Sequence, residues 1–152
     1  MNHLTIVVPE GQNNLESIVG TYQIFSRANT IWEKAGRKAL FDIELAGLSN
    51  EVSFYDDLFT VEPQTTISVI HKTDLIIIPS LNHNYQKAVE RNKDLIKWIK
   101  RQYKKGAEVA SICTGAFLLA SSGLLDGKSC STHWSVAENF RSMFPDVNLQ
   151  TD

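Results

Sequence analysis

A cysteine in the second half of the chain occupies a position at which a thiol can act as a nucleophile. Cys113 follows a short apolar stretch rich in β-forming residues, and a helix-favouring segment, 116–120, begins just after it. A residue at such a strand-to-helix corner lies beside unpaired backbone N–H groups and the positive end of a helix dipole. Both favour the thiolate, the nucleophilic form of cysteine. The pattern predicts a reactive Cys113; the alternative is a small apolar core residue, the more ordinary role of an isolated cysteine.

Alternating strand and helix patterns predict the elements that would hold this corner. Apolar or alternating stretches predict strands at 4–8, 41–48, 74–79, 109–112 and 147–150, with a hairpin within 52–61. Apolar residues at helical spacing predict helices at 15–35 (broken near 26–30), 85–105, 116–120 and 136–143. This alternation is typical of an α/β domain with a mostly parallel sheet and helices on both of its faces.

Several chemically useful residues follow the predicted strands at their carboxyl ends. Cys113 follows one strand, Ser80 and Leu81 follow another, and Glu16 lies at the start of the helix after the first strand. Ligands of open α/β sheets bind at the carboxyl ends of the strands, near the point where the strand order reverses. We therefore expect these three segments to share one rim of the sheet.

Length and composition narrow the class of protein. A chain of 152 residues is long enough for one domain with a sizeable core, and a net charge of −2 gives no general reason to expect nucleic acid as a partner of this segment. The sequence has no apolar run long enough to span a membrane, and its start is typical of a strand rather than of a secretion signal. Two cysteines separated by 17 positions (130 − 113) do not form a disulfide framework. These features predict a cytoplasmic protein with no membrane partner.

Two further patterns have alternative interpretations. The predicted helix at 85–105 carries a row of basic residues that would suit either nucleic acid or simple solvation, and the acidic net charge favours solvation. Cys113, Cys130 and His133 lack the paired spacing of zinc ligands, so the sequence predicts no metal site and no cofactor.

The segment around Cys113 resembles a known superfamily. The run Ser-Ile-Cys-Thr-Gly-Ala-Phe-Leu-Leu-Ala-Ser-Ser-Gly-Leu-Leu-Asp-Gly-Lys, followed by Ser-Thr-His-Trp, is similar to the ThiJ/PfpI superfamily. More narrowly, Cys-Thr-Gly-Ala-Phe-Leu-Leu-Ala, Leu-Leu-Asp-Gly and Thr-His-Trp, together with Phe25 and Ala28-Asn29, resemble the N-terminal domain of a subgroup of AraC-type transcriptional regulators. The resemblance covers nearly the whole chain. It implies the flavodoxin-like fold of class I glutamine amidotransferases.

The resemblance also implies roles for individual residues. Cys113 stands where the superfamily has its nucleophile, His133 stands 20 residues later (133 − 113) where a histidine lies near that cysteine, and Glu16 stands where an acid hydrogen-bonds the sulfur. Thr114 and Gly115 would contribute to an oxyanion or ligand pocket. In the superfamily, a Gly-Gly pair forms the other side of this pocket. This chain has Ser80 and Leu81 there instead. Because glycine permits backbone conformations that serine and leucine resist, this departure weakens the expectation of a working oxyanion hole.

Two functions are compatible with this resemblance. The first is an effector-sensing and dimerising domain of an AraC-type regulator, without turnover, whose helix-turn-helix DNA-binding domain would lie beyond residue 152. Its effector would be a small molecule that the sequence does not identify, and it would form a homodimer. The second is a cysteine-dependent hydrolase or hydratase similar to isocyanide hydratase. Because the chain stops as a predicted strand begins, we also expect the closing strand and helix of the domain to lie outside it.

Overall fold

The computed structural model describes residues 1–151, which form nine strands and five helices in alternating order. The strands are β1 (Asn2–Val8), β2 (Phe41–Gly47), β3 (Val52–Phe54), β4 (Phe59–Val61), β5 (Thr65–Thr66), β6 (Leu75–Ile78), β7 (Glu108–Ser111), β8 (Ser129–Cys130) and β9 (Asn148–Leu149). The helices are α1 (Leu15–Lys34), α2 (Tyr85–Arg91), α3 (Lys93–Lys104), α4 (Ala116–Ser121) and α5 (Ala137–Met143). None of these helices is both long and apolar enough to cross a membrane.

The central sheet has five strands in the order β5-β2-β1-β6-β7, and every neighbouring pair in it is parallel. The chain builds outward from β1 through β2 to β5, and then returns to the other side of β1 to add β6 and β7. The strand order therefore reverses between β1 and β6. In open parallel sheets, a crevice suited to ligands forms at such a reversal, outside the carboxyl ends of the strands.

Side chains of β1 alternate between two apolar layers, as a strand covered on both faces requires. Leu4 and Ile6 pack in a layer with Ile18 of α1 and Phe54 of β3. Val7 points into the opposite layer, which is built mainly from α3, α4 and α5. The predicted architecture, a mostly parallel sheet with helices on both faces, is confirmed.

The predicted break in the first helix is wrong, because α1 is continuous from Leu15 to Lys34. The polar stretch that suggested a break contains Asn29, whose side chain bonds the start of β2. Its Oδ1 accepts from the N–H groups of Leu40 and Phe41 at 3.0 and 2.9 Å, and its Nδ2 donates to the Phe41 carbonyl at 2.7 Å. The polar side chain of Asn29 therefore attaches α1 to β2 and does not interrupt the helix.

The single helix predicted at 85–105 is also wrong, because the chain is interrupted at Asn92 between α2 and α3. The Asn92 side chain is fully buried. Its Oδ1 accepts from the N–H of Glu10 at 2.8 Å, and its Nδ2 donates to the carbonyls of Glu10 at 3.0 Å and Ala88 at 2.9 Å. The interruption thus attaches the loop after β1 to the junction of the two helices.

Candidate functional site

Cys113 lies at the corner predicted from the sequence, in one tight turn of 3₁₀ helix between β7 and α4. Its φ of +51° is in the left-handed region, which non-glycine residues adopt at a cost of roughly 1 kcal/mol or more. The residue is exposed, so it is not the buried core cysteine of the alternative interpretation. We call residues 113–115 the elbow.

The close approach of the elbow to β6 depends on Gly115. A Cβ atom at this position would lie 2.5 Å from the carbonyl oxygen of Pro79 and 2.8 Å from that of Ile78. Both contacts are shorter than side chains tolerate, and both involve backbone atoms that cannot rotate away. Only glycine therefore fits between α4 and the end of β6 without moving one of them.

Thr114 joins the elbow to the loop after β6 through a buried hydroxyl group. Its Oγ1 accepts from the N–H of Leu81 and donates to the Leu81 carbonyl, each at 2.8 Å. The Ser80 hydroxyl lies 2.8 Å from the same oxygen. Because Thr114 gives its proton to Leu81, the Ser80 hydroxyl acts as the donor in this contact.

The start of α1 is attached to the same loop. The N–H of Asn14 donates to the Ser80 carbonyl at 2.9 Å, and the N–H of Ser80 donates to the Ser17 hydroxyl at 2.9 Å. Asn13 and Leu81 also form an isolated antiparallel bridge. The segments that follow β1, β6 and β7 therefore meet at one rim, as the sequence analysis expected.

This hydrogen bonding bears on the predicted oxyanion or ligand pocket of Thr114, Gly115, Ser80 and Leu81. All four residues are buried. The N–H groups of Ser80 and Leu81 both donate to side-chain hydroxyls, as described above. In this conformation neither donor is directed at an anion beside the thiol, and a working oxyanion pocket stays a prediction.

Glu16 lies in the first turn of α1, exposed, and accepts a hydrogen bond from the Tyr55 hydroxyl at 2.9 Å. Tyr55 is in the turn of the β3–β4 hairpin, where three successive residues, 55–57, have positive φ. The hydrogen bond to Glu16 raises the pKa of Tyr55 because the carboxylate stabilises the protonated phenol. No hydrogen bond within residues 1–151 joins the Glu16 carboxylate to the Cys113 thiol.

His133 is exposed and shapes the turn that precedes α5. Its Nδ1 accepts from the N–H of Ser135 at 3.2 Å and lies 2.7 Å from the Ser135 hydroxyl. When Nδ1 accepts in this way, the proton of the neutral ring is on Nε2. The adjacent Thr132 hydroxyl donates to the Cys113 carbonyl at 3.1 Å, so the chain next to His133 contacts the elbow. The catalytic roles predicted for Cys113, His133 and Glu16 stay predictions.

Tyr85 at the start of α2 is a neighbour of the thiol that sequence reasoning missed. Its ring stacks on Phe117 of α4, with centroids 4.1 Å apart. Burial raises the pKa of Tyr85, and the negative charge of the Cys113 thiolate raises it further. No motif marks this tyrosine, because its position near the thiol depends on how α2 packs against α4.

The second cysteine, Cys130, is partly buried in β8 and packs against the core. Burial raises the pKa of its thiol above the ordinary value. Both cysteines are free. Across residues 1–151 no three His, Cys, Asp or Glu side chains are grouped so that they could hold a metal ion.

A cleft of about 280 Å³ opens at the same rim, at the reversal of strand order between β1 and β6. Its walls are the loop after β1 (residues 10–12), the loop after β6 (residues 82–84) and the face of α2 that carries Lys87, Ala88 and Arg91. We call it the switch-point cleft. Sequence reasoning missed it, because its walls come from segments that are distant in the chain.

Comparison with known proteins finds a family match and partial relatives. A family model described as the DJ-1/PfpI family matches residues 3–146. The HTH-type transcriptional regulator GbdR of Pseudomonas aeruginosa is 35% identical over 66 residues, which are 43% of this chain and 17% of that protein. The isonitrile hydratase of Pseudomonas putida is 31% identical over 75 residues, 49% of this chain and 32% of the hydratase.

A solved structure shows the same fold over the full length of the chain. The crystal structure of an AraC family transcriptional regulator from Pseudomonas putida superimposes with a TM-score of 0.77, covering 100% of this chain and 77% of that chain. At 15% identity this likeness shows the fold alone. The aligned stretches span only 17% of GbdR and 32% of the hydratase, so these relatives are much longer than the parts they share with this chain.

Proposed function

The chain belongs to the DJ-1/PfpI family, and within it we propose that this chain is the effector-sensing domain of an AraC-type transcriptional regulator that senses without turnover. GbdR, an HTH-type transcriptional regulator, and the AraC family regulator of known structure support the regulatory role. In this role, the domain would recognise the ligand, and another part of the protein would contact the DNA.

The observation that carries this proposal is the use of the Ser80 and Leu81 N–H groups. A hydrolase or hydratase that forms a covalent adduct on cysteine needs preorganised donors for the negative charge that develops on the substrate. Here both donors of this loop bond hydroxyl groups of the protein, at 2.9 and 2.8 Å. Use of these two donors to stabilise an oxyanion would require breaking these bonds, whereas binding of a ligand elsewhere on the rim would not.

The proposed partners follow from the regulatory role. DNA would be bound by a helix-turn-helix domain outside residues 1–152, because this segment has a net charge of −2. A homodimer is supported by exposed apolar side chains on one face of α1, in particular Ile24 and Ile31, which are 70% and 59% exposed. A regulator of this kind acts in the compartment that holds its DNA, so we place it in the cytoplasm.

The test compares the protein expressed from its complete reading frame with the chain of residues 1–152. We expect the complete protein to bind the DNA upstream of its own gene in a gel-shift assay, and the 1–152 chain not to bind it. Both proteins should hydrate an isocyanide no faster than their Cys113→Ala variants. Hydration that depends on Cys113, or a complete protein that binds no DNA, would contradict the proposal.

The second candidate is a cysteine-dependent hydratase. It is favoured by an exposed thiol at a strained elbow and by the relative named isonitrile hydratase. In this candidate Cys113 would be the nucleophile, and Glu16 and His133 would tune its thiolate. Their present hydrogen bonds to Tyr55 and Ser135 would have to be rearranged or shared to reach the sulfur.

A further inference from the structure

We propose that the switch-point cleft is a binding site for a small carboxylate, and that this carboxylate is the effector. The second half of this inference rests on the proposed sensing function, whereas the first half stands on the cleft itself. The cleft lies at the reversal of strand order between β1 and β6, and Cys113 does not line it. Its volume of about 280 Å³ suits a small metabolite.

The charges in the cleft favour a monoanion. Lys87 and Arg91 are one helical turn apart on α2, and neither takes part in an ion pair among residues 1–151. Glu10 is the one acidic residue in the lining, and its carboxylate already accepts a hydrogen bond from the Ser49 hydroxyl. Two formal positive charges against one negative charge leave a surplus of a single positive charge, which one carboxylate would neutralise.

Arg91 is placed for this role by Gly11. Gly11 has a φ of +95°, and a Cβ at this position would lie 3.2 Å from Nη1 of Arg91. The missing side chain therefore lets the guanidinium group lie against the loop after β1. A guanidinium is planar, stays charged and matches the two oxygens of a carboxylate, so Arg91 supplies geometry as well as charge.

The walls of the cleft are held in place without a ligand. Asn92 fixes both the N–H and the carbonyl of Glu10. The N–H of Asn82 donates to the Gln12 carbonyl at 3.0 Å, which joins the loops after β1 and β6. The Asn84 side chain accepts from the N–H of Lys87 at 3.1 Å, which joins the second loop to α2. A site with preformed walls loses little conformational entropy on binding.

The test is a titration of the ¹⁵N-labelled chain, followed by ¹H–¹⁵N NMR, with two carboxylates and their neutral analogues. The probes are butyrate beside butyramide and succinate beside succinamide. We expect saturable shifts at the amides of Gly11, Gln12, His83 and Asn84 with at least one carboxylate, and none with either amide. Lys87→Gln and Arg91→Gln should each weaken binding about tenfold, since each removes a charged hydrogen-bond donor.

The matched control is the pair Lys100→Gln and Lys104→Gln on α3, which removes two charges at the same helical spacing outside the cleft. These variants should leave carboxylate binding nearly unchanged. The amide spectrum of each variant shows whether the fold is intact. Arg91→Lys, which keeps the charge and loses the planar fork, should bind with an affinity between those of the unaltered chain and Arg91→Gln.

Three results would overturn the site: no saturable shift with either carboxylate, equal binding of the amides, or equal weakening by the control pair. Each of these leaves the gel-shift result untouched, because no DNA is present in the titration. Conversely, carboxylate binding by a protein that binds no DNA would keep the site and remove the effector role.

Discussion

The elbow and the switch-point cleft lie at the same edge of the sheet, but they differ in how their polar groups are used. At the elbow, the Thr114 hydroxyl and the N–H groups of Ser80 and Leu81 are all paired within the protein. In the cleft, the cations Lys87 and Arg91 have no carboxylate partner among the described residues. The elbow holds an exposed thiol next to a loop whose two N–H groups are paired, whereas the cleft holds cations without an ion-pair partner and no nucleophile.

This difference shows that a fold can keep a thiol at the nucleophile position while its unpaired cations line a different part of the rim. Catalysis needs the reacting atom, the oxyanion donors and the ligand space in one place. In this chain Cys113 does not line the switch-point cleft, although both lie at the same rim. This separation is what the proposed sensing function, without turnover, would lead us to expect.

The largest expected effect tests how rigidly each region is built. Gly115→Ala should lower the free energy of unfolding by about 3 kcal/mol, because its Cβ would overlap backbone atoms. Gly11→Ala should cost only about 1 kcal/mol, because the atom it meets is the mobile end of Arg91 and the remaining cost is that of a positive φ. Urea unfolding measures both changes.

Gly20→Ala is the control for this pair, since a Cβ at Gly20 in α1 meets no atom within 4 Å. It should leave stability unchanged or raise it by up to about 1 kcal/mol through helix propensity. Equal costs for Gly115→Ala and Gly11→Ala would show that the elbow is no more rigid than the cleft.

A smaller effect compares the two thiols of one molecule. Cys113 is exposed, whereas burial raises the pKa of Cys130 above 9.0 and lowers its thiolate fraction at neutral pH. Iodoacetamide should therefore modify Cys113 at least about tenfold faster than Cys130 at pH 7. The ratio should fall in alkaline solution, because Cys130 then ionises as well.

Peptide mass spectrometry at timed intervals measures both rates, and the Cys113→Ser and Cys130→Ser variants give each rate alone. If iodoacetamide modified Cys113 no faster than a thiol in an unstructured peptide, the elbow would have a purely structural role.

The smallest expected effect concerns the acid at the start of α1. If Glu16 donates to the sulfur, Glu16→Leu should slow the alkylation of Cys113 about threefold, because one hydrogen bond to the thiolate would be lost. Glu16→Gln keeps a donor and should retain most of the rate. Tyr55→Phe, which removes only the hydroxyl bound to Glu16, shows whether the hairpin withholds the acid from the thiol. An unchanged rate in a folded Glu16→Leu variant would remove Glu16 from the site.

The sequence predicted the parts of the fold that depend on local pattern. The apolar runs of β1 and β6 and the change from strand to helix at Cys113 were sufficient to predict a parallel sheet and the elbow within it. Local pattern failed at Asn29 and Asn92. The side chain of Asn92 bonds Glu10, 82 positions away, and a spacing rule carries no information about such a partner.

The candidate site, like the fold, was predictable only where it depends on local sequence pattern. The position of Cys113 follows from the strand that precedes it, but the pairing of its neighbours does not. Thr114 bonds Leu81 across 33 positions, and Arg91 lies against Gly11 across 80 positions (91 − 11). Free cations in a cleft and solvated cations on a helix look alike in the sequence, since only the packing of α2 distinguishes them.

The hydroxyl contacts of Ser17, Ser80 and Thr114 connect the elbow mechanically to α1. They form an unbroken series from the residue after the thiol to the first turn of α1. A bulky adduct on Cys113 that displaced Thr114 would also strain the attachment of that helix. Since α1 carries the exposed side chains of Ile24 and Ile31, a bulky adduct on one sulfur atom would alter the position of an apolar surface on the other side of the series.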